Sequence, residues 1–213
     1  MRLKDELQSI ISGISGQAGE NLIQAAANHL RKGQKTSPNT KKNEFLSKEQ
    51  EAAELIKWVD DHNLWFRGHN EDRFISSGAE QRVYLDDDER FVYKLNDTIF
   101  YERWLDYFHS LLLHNHFFPT TSYQLIGFFK ASDCLFAVVK QPYIEITEST
   151  DTTLIKDFLY ENGFLWKRNN DYYNPELGLI LEDLHEENVL TNKSVMFFID
   201  TIFYLEDSFF AKE

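Results

Sequence analysis

Apolar residues recur at helical spacing in two groups near the start of the chain, which is the pattern of helices with one buried face. The first group runs from Leu3 to Ile14 and the second from Leu22 to Leu30. Gly13, Gly16 and Gly19 interrupt the pattern between the groups, and glycine is a weak helix former. The first 32 residues therefore predict two helices instead of one continuous helix.

A polar linker and a third helix follow in the pattern. Residues 33–43 contain no apolar side chain, so they predict a solvated linker, and the first 45 residues are set off as a helical extension. Ser47 and Gln50 have the spacing of a capping box, and the apolar stripe behind them predicts a helix from Ser47 to His62. The helical extension either packs on the main domain or holds a protein partner, and the pattern leaves both possibilities open.

From about residue 63 the pattern changes to short segments that are typical of β-strands. Two pairs of these segments are predicted to form hairpins, one around the acidic turn DDDER and the other around the turn ASD. The first of these turns lacks the glycine that usually marks a tight hairpin. The predicted strands are 64–66, 74–76, 83–85, 91–93, 123–129 and 135–140.

Two helices and one strand complete the predicted elements. Asn96 or Asp97 is expected to cap a helix that runs to about Asn115. A shorter helix is expected over 151–161 and an apolar strand over 195–199. The buried face of the longer helix is predicted to consist of six apolar residues at helical spacing: Ile99, Phe100, Trp104, Phe108, Leu111 and Leu112.

Composition and charge exclude several classes of protein. The chain has 213 residues, of which 42% are hydrophobic, enough for one domain with a buried core. It has no apolar run that would span a membrane, and its acidic first turns are not those of a signal peptide. The net charge of −13 argues against a surface that coats nucleic acid. The single cysteine, Cys134, is expected to be a packed thiol, which fits a reducing cytoplasm.

The stretch 181–201 contains the strongest candidates for chemistry. Asp183 opens a turn, Asn188 follows five positions later, and an apolar strand ends next to Asp200. An aspartate on a rigid loop can orient or deprotonate a hydroxyl, so Asp183 is the candidate catalytic residue. The oxygens of Asn188 and Asp200 are donors that Mg²⁺ prefers, with phosphates and water completing its coordination. This set is the minimal equipment for phosphoryl transfer from ATP.

Upstream residues are candidates for the nucleotide half of such a site. Lys94 ends a predicted strand and could contact the phosphates of ATP. A lysine in that role needs an acidic partner, and Glu102 and Asp106 stand one turn apart on the predicted helix, so periodicity does not separate them. Gly78 lies in a turn of small residues, where backbone N–H groups can approach a phosphate. His185, by contrast, is expected to orient the 183–188 loop and not to act as a base.

In their order along the chain, the candidate residues resemble the protein-kinase-like fold. That fold has a nucleotide loop, then a strand lysine and a helix carboxylate, then a catalytic Asp with an Asn five positions on, and last a metal-binding Asp. The loop DLHEENVL is similar to that of aminoglycoside and choline phosphotransferases. The segment SSGAEQRVY resembles the nucleotide loop of RIO kinases and of the small KEOPS-complex kinase. Over about residues 74–205 the chain most resembles the kinase domain of polyvalent proteins from bacterial mobile elements.

The resemblance implies an α+β protein in which a kinase-like domain covers 46–213. Its N-lobe, over about 63–142, would be an antiparallel sheet with one long helix. Its C-lobe, over about 143–213, would be reduced, and the N-terminal helices are candidates to complete it.

The resemblance also implies roles for particular residues, with ATP and Mg²⁺ as cofactors. Asp183 and Lys94 would be catalytic, and Asn188 and Asp200 would bind Mg²⁺. The residues implied at the nucleotide are Ser77, Gly78, Glu80, Val83, Lys94, Glu102 and Asp106.

The chain departs from protein kinases around the candidate loop. Leu181 and Glu182 stand where those enzymes have His and Arg, and Thr201 follows the metal-binding Asp in place of Phe. Without that Arg, no side chain at this position would bind the phosphate of a phosphorylated activation loop. Because every residue that the chemistry needs is still present at plausible spacing, the first hypothesis is an active kinase with a protein or small-molecule acceptor. The alternatives are a nucleotide-binding pseudokinase that serves as an interaction module and an adenylyltransferase.

Overall fold

A computed structural model describes residues 2–13, 21–36, 45–68, 70–78 and 81–211. The chain divides into two compact units. The sheet unit comprises 15–108 and 123–143, and the loop unit comprises 1–14, 109–122 and 144–213. Within the described ranges, no helix is both long and apolar enough to cross a membrane.

The sheet unit contains a five-stranded antiparallel sheet in the order β1-β2-β3-β5-β4. Both predicted hairpins are confirmed, since β2 pairs with β3 and β4 pairs with β5. Glu89 and Ser132 adopt positive φ angles of 56° and 54° in the two turns, so non-glycine residues make these reversals. Tyr84, Leu95 and Val138 form a buried cluster in this unit. The strands are β1 Phe74–Ser77, β2 Gln81–Leu85, β3 Phe91–Asn96, β4 Gln124–Ala131 and β5 Cys134–Pro142.

The predicted pair of N-terminal helices is confirmed as α1, Leu3–Ser12, and α2, Leu22–Thr36. Because α2 continues to Thr36, the first four residues of the predicted linker are helical, and its last seven lie outside the described residues. The third helix, α3, spans Lys48–His62. Its predicted capping box is present, with the Ser47 hydroxyl accepting from the Gln50 backbone N–H and the Gln50 side chain accepting from the Ser47 N–H.

Helix α4 spans Trp104–Phe117, so the predicted start at Asn96 or Asp97 is wrong. The Asn96 and Asp97 side chains instead accept hydrogen bonds from the backbone N–H groups two residues on, at 2.7 and 3.0 Å. Such Asx turns compete with a helix for the same backbone groups. Ile99 and Phe100 precede the helix and are 59% and 58% exposed, contrary to their predicted burial. The other four residues of the predicted face are buried.

A buried glutamate holds the start of α4. Glu51 on α3 is fully buried, and its carboxylate accepts a hydrogen bond of 3.2 Å from the Leu105 backbone N–H. Lys48, one turn earlier on α3, donates to the carbonyls of Thr98 and Tyr101. The two side chains therefore hold the irregular segment and the first turn of α4 against α3. Burial raises the pKa of Glu51, and this effect exceeds the opposing effects of the hydrogen bond and of Arg103.

The predicted strand at 64–66 is wrong, because only Trp65 forms an isolated bridge there. The segment crosses β4 closely, with the Leu64 carbonyl accepting from the Phe128 N–H at 2.9 Å. Gly127 makes this approach possible, since a Cβ at that position would lie 2.5 Å from the Leu64 carbonyl oxygen. Cys134 also differs from its prediction. It is exposed at the first position of β5, beside the hairpin turn, and is not a packed thiol.

In the loop unit, a four-stranded antiparallel sheet has the order β11-β8-β7-β6, and β9 pairs separately with β10. Helix α5, Thr152–Glu161, is confirmed, and α6 spans Asp207–Phe210. The hairpin of β6 and β7 was not predicted from the aromatic and polar stretch that forms it. The strands are β6 Leu165–Arg168, β7 Asp171–Asn174, β8 Leu179–Glu182, β9 Val189–Asn192, β10 Val195–Phe198 and β11 Ile202–Leu205.

Helix α1 packs within the loop unit against the short helix α6. The Lys4 side chain donates to the Ser208 carbonyl at 2.9 Å, and the Gln8 side chain donates to the Phe209 carbonyl. Leu7 and Phe209 are both fully buried. A segment from the start of the chain thus adds to the core of the unit that contains the candidate loop.

We expect the Glu51→Gln variant to be more stable than the wild type at pH 7. The raised pKa means that folding favours the protonated carboxyl, so its stabilising contribution is complete below the unfolded pKa and is lost as pH rises through the folded pKa. Glutamine keeps the acceptor oxygen for Leu105 without the buried charge. Urea unfolding at several pH values between 4 and 8 measures this difference.

The Glu51→Ala variant serves as the control for the hydrogen bond. It leaves the Leu105 N–H without its acceptor and should lower the free energy of unfolding by about 1–3 kcal/mol. A Glu51→Gln protein that is less stable than the wild type at pH 7 would contradict the assignment of a costly buried charge.

Candidate active site

The candidate loop runs from Asp183 to Asn188 and joins β8 to β9. Strand β8 is the inner strand that places it, because it pairs with β7 on one side and with β11 on the other. The turn between β6 and β7 supports the start of the loop, with the Leu184 N–H donating to the Asn170 carbonyl at 3.0 Å. The Asp171 carboxylate accepts from the Asp183 N–H at 3.4 Å. Leu184 is buried and fixes the loop between these contacts.

Asn188 closes the loop on Asp183. Its Nδ2 donates to the Asp183 carbonyl at 2.8 Å and to Asp183 Oδ2 at 2.9 Å. Asp183 has a φ of 65°, a left-handed conformation that aspartate tolerates better than most residues. Because Asn188 Nδ2 faces Asp183, its Oδ1 is the oxygen that remains for another ligand. The Asp183 side chain is about half exposed, at 51%, so its carboxylate is accessible as well as oriented.

His185 lies beside the same carboxylate and makes contacts within the loop. Its Nδ1 accepts from the Glu187 backbone N–H at 3.3 Å, and its Nε2 lies 3.3 Å from Asn188 Nδ2. Nε2 is also 3.2 Å from Asp183 Oδ1. Oδ2 of Asp183 therefore accepts from Asn188 Nδ2, while Oδ1 lies next to the His185 ring.

Asp200 comes after the β9–β10 hairpin, which directly follows the loop along the chain. In this hairpin Val189 pairs with Phe198, so the residues after Asn188 and those before Asp200 lie side by side. The Ile199 N–H donates to the Asn188 carbonyl at 2.9 Å, which links the two predicted metal ligands through one backbone hydrogen bond. Asp200 is half-buried. The structure thus brings Asp183, Asn188 and Asp200 into one connected segment of the loop unit.

Lys94 lies on β3 in the sheet unit, between Val83 of β2 and Val139 of β5. It is 3% exposed, and its Nζ lies 5.5 Å from the centroid of the Tyr123 ring. A lysine on an inner strand with a buried stem is not an ordinary surface lysine, which would be mostly exposed. This position is compatible with the predicted role.

The two acidic candidates for Lys94 have different surroundings. Both oxygens of Asp106 accept hydrogen bonds from Arg103, from Nε at 3.1 Å and from Nη2 at 2.7 Å. Glu102 precedes α4 and is exposed. Asp106 therefore already has a bidentate partner, which sequence periodicity had no means to reveal.

The predicted nucleotide turn is only partly described. Ser77 ends β1, and the Gly78 N–H donates to the Gln81 carbonyl at 2.9 Å. A Cβ added to Gly78 would meet no atom of the described residues within 4 Å, so none of their contacts requires glycine there. Val83 is half-buried on β2. Glu80, which the resemblance places at the nucleotide, lies outside the described residues.

The donor set around Asn188 fits a hard divalent cation that also binds phosphate. Among the described residues no group of three or more His, Cys, Asp or Glu side chains could hold a metal by itself. Mg²⁺ is commonly held by one or two protein oxygens together with substrate phosphates and water. Asp200 and the Oδ1 of Asn188 are donors of this kind.

The strand that leads into the loop carries a further perturbed acid, Glu182. Burial raises the pKa of Glu182, and the nearby Asp171 carboxylate adds to the effect. Arg168 and Lys167 on the β6–β7 hairpin oppose it. The hairpin that sequence reasoning missed therefore contributes both the contacts and part of the charge around the loop. The polar pair at its turn, Asn169 and Asn170, was the available signal.

The antiparallel sheet with a buried strand lysine and the Asp-x4-Asn loop followed by a hairpin and a second Asp are compatible with a kinase-like fold. The profile of one family, described as Serine/Threonine/Tyrosine Kinase found in polyvalent proteins, matches residues 48–207. The chain therefore belongs to this family. No curated protein and no solved structure gave a significant match. The expected similarities to RIO, KEOPS-complex and aminoglycoside kinases stay predictions.

We expect Asn188→Ala to loosen the 183–189 loop. The variant removes the two hydrogen bonds to Asp183, each contributing roughly 0.5–1.5 kcal/mol net. Hydrogen exchange of the backbone amides in this loop should become faster, as followed by mass spectrometry of the corresponding peptide.

Asn192→Ala is the matched control for this experiment. Asn192 lies at the far end of β9, and its Nδ2 donates to the Glu145 carbonyl at 2.7 Å. The variant should leave exchange in the 183–189 peptide unchanged. Equal exchange in the wild type and in Asn188→Ala would show that the Asn188 side chain does not close the loop.

Proposed function

We propose that this chain is an ATP-dependent phosphotransferase that moves the γ-phosphoryl group of Mg-ATP to a hydroxyl acceptor. The observation that carries the proposal is the closed Asp183–Asn188 loop, tied to the segment of Asp200 by the hydrogen bond from Ile199 to Asn188. Membership of a family described as kinases supports it. That description names serine, threonine and tyrosine, which favours a protein hydroxyl over a metabolite as the acceptor.

Asp183 orients the acceptor and receives its proton. A general base must reach the hydroxyl proton from a fixed position, and the Asn188 side chain holds this carboxylate through its Oδ2. Its exposed fraction leaves it accessible to an acceptor that approaches from solvent. His185 is not the base in this assignment.

Asn188 and Asp200 hold Mg²⁺ through Oδ1 and the carboxylate. When bound, Mg²⁺ would neutralise the charge that develops on the transferred phosphoryl group. The chain's own contribution is to hold the backbone segments of the two residues together, through the Ile199–Asn188 hydrogen bond and the β9–β10 pairing. Preorganised donors need no rearrangement during the reaction.

Residues of the sheet unit bind the nucleotide in this proposal. Lys94 contacts the phosphates from β3, and its buried stem limits the number of conformations that it can adopt. Arg103 already holds both oxygens of Asp106, and the acidic partner of Lys94 stays open between Glu102 and Asp106. The small-residue turn at Ser77 and Gly78, with Glu80 and Val83, covers the nucleotide.

Intact-mass spectrometry of the purified protein incubated with Mg-ATP tests the proposal. The wild type should gain the mass of one phosphoryl group, and the rate of this gain should fall by about 10²–10⁴-fold in Asp183→Asn and Asp200→Asn. Both changes keep the size of the side chain, so the fold should persist. Asp157→Asn, on the exposed face of α5, is the control and should react like the wild type.

Three results would contradict the proposal. An adenylyl adduct would make the chain an adenylyltransferase. An unchanged rate in Asp200→Asn would remove the metal assignment. A protein that binds nucleotide tightly but gives no product with itself or with a panel of protein acceptors would be a pseudokinase.

A further inference from the structure

A buried polar cluster lies next to Asp200 in the loop unit. It consists of His114 from the last turn of α4, Thr121 from the turn that follows, and Thr201. These side chains are 0%, 0% and 5% exposed, respectively. Polar groups that are buried this completely are costly unless they are paired, and they therefore fix the backbone to which they bind.

Each ring nitrogen of His114 has a partner in this cluster. Nε2 lies 2.9 Å from the Thr121 carbonyl oxygen, and Nδ1 lies 2.7 Å from the Thr201 hydroxyl. A carbonyl can only accept, so in the neutral ring the proton is on Nε2. Nδ1 is then the acceptor, and the Thr201 hydroxyl donates to it. The hydroxyl is thereby held in one orientation beside Asp200.

The cluster forms hydrogen bonds to the residues on both sides of the Ile199–Asp200 dipeptide. On one side, the Thr121 hydroxyl donates to the Phe198 carbonyl at 2.6 Å. On the other side, His114 accepts from Thr201. The backbone of Asp200 is therefore fixed between two anchors that come from a single stretch, the end of α4 and the turn after it.

Neighbouring contacts stiffen the same segment. The ring of Phe118 stacks on that of Phe198 with centroids 4.4 Å apart and an interplanar angle of 15°. The Phe203 N–H donates to the Ser110 hydroxyl at 2.9 Å, and Ser110 lies one turn before His114 on α4. Sequence periodicity alone gives no reason for α4 to bury both Ser110 and His114.

We propose that His114 is a positioning residue for the metal ligand Asp200 and acts through the hydroxyl of Thr201. The inference rests on the proposed function, because it presumes that Asp200 binds Mg²⁺. Groups that orient a metal ligand typically change metal affinity by 10–100-fold when they are removed. His114 and Thr201 touch neither substrate nor metal in this assignment, and they determine where the carboxylate of Asp200 is held.

The test measures binding of Mn²⁺, used in place of Mg²⁺, to the protein with a non-hydrolysable ATP analogue. Electron paramagnetic resonance counts the free Mn²⁺, and the Asp200→Asn protein gives the baseline for Mn²⁺ held by the nucleotide alone. The variants are Thr201→Val, which removes the hydroxyl at constant shape, Thr201→Ser, which retains it, and His114→Gln. Asn174→Ala, which loses a buried side chain bonded to the Asn162 carbonyl and the Leu177 N–H, is the control for general destabilisation.

We expect the dissociation constant for Mn²⁺ to rise by about 10–100-fold in Thr201→Val and His114→Gln. Thr201→Ser should bind like the wild type, and so should Asn174→Ala even where its melting temperature falls. A Thr201→Val protein with wild-type affinity would overturn the inference while leaving the proposed function intact. Wild-type protein that binds no more Mn²⁺ than Asp200→Asn would overturn both. If His114→Gln fails to fold, the comparison of Thr201→Val with Thr201→Ser decides.

Discussion

The loop unit holds its candidate residues together at Asn188. The side-chain Nδ2 of Asn188 closes the loop on Asp183, while the Asn188 backbone carbonyl accepts from Ile199 and so holds the segment of Asp200. One residue thus contacts both the carboxylate proposed to orient the acceptor and the segment of the carboxylate proposed to bind metal. The pairing of β9 with β10 keeps the residues after Asn188 and those before Asp200 side by side.

Sequence reasoning succeeded where a local pattern decides the structure. The hairpins of the sheet unit follow from alternating apolar residues, and the capping box at Ser47 places the start of α3. Hydrogen bonds join Asp183 to Asn188 and Asn188 to Ile199, next to Asp200, and the roles predicted for the three residues stay proposals.

The failures occur where other contacts compete with the hydrophobic pattern, and these are either local turns or contacts distant in sequence. The start of α4 moved to Trp104 because Asn96 and Asp97 form turns and Glu51, far away in sequence, provides the cap. Cys134 is exposed because a hairpin turn placed it at a strand end. Buried polar residues such as His114 and Glu51 have no periodic pattern, so the burial of neither was predicted. Glu51 nevertheless holds the start of α4, and His114 bonds to Thr201 beside Asp200. The identity of the partner of Lys94 stays open between Glu102 and Asp106.

The most direct test of the central claim, that this segment forms a Mg-nucleotide site, is calorimetric titration of the wild-type protein with ATP, once in Mg²⁺ and once in EDTA. We expect saturable binding in Mg²⁺ and much weaker binding without it, since Asn188 and Asp200 would contribute only through the metal. An equal affinity in both buffers would show that these two residues do not hold a metal with the nucleotide. Absence of binding in both would contradict the assignment of the chain as an ATP-dependent enzyme.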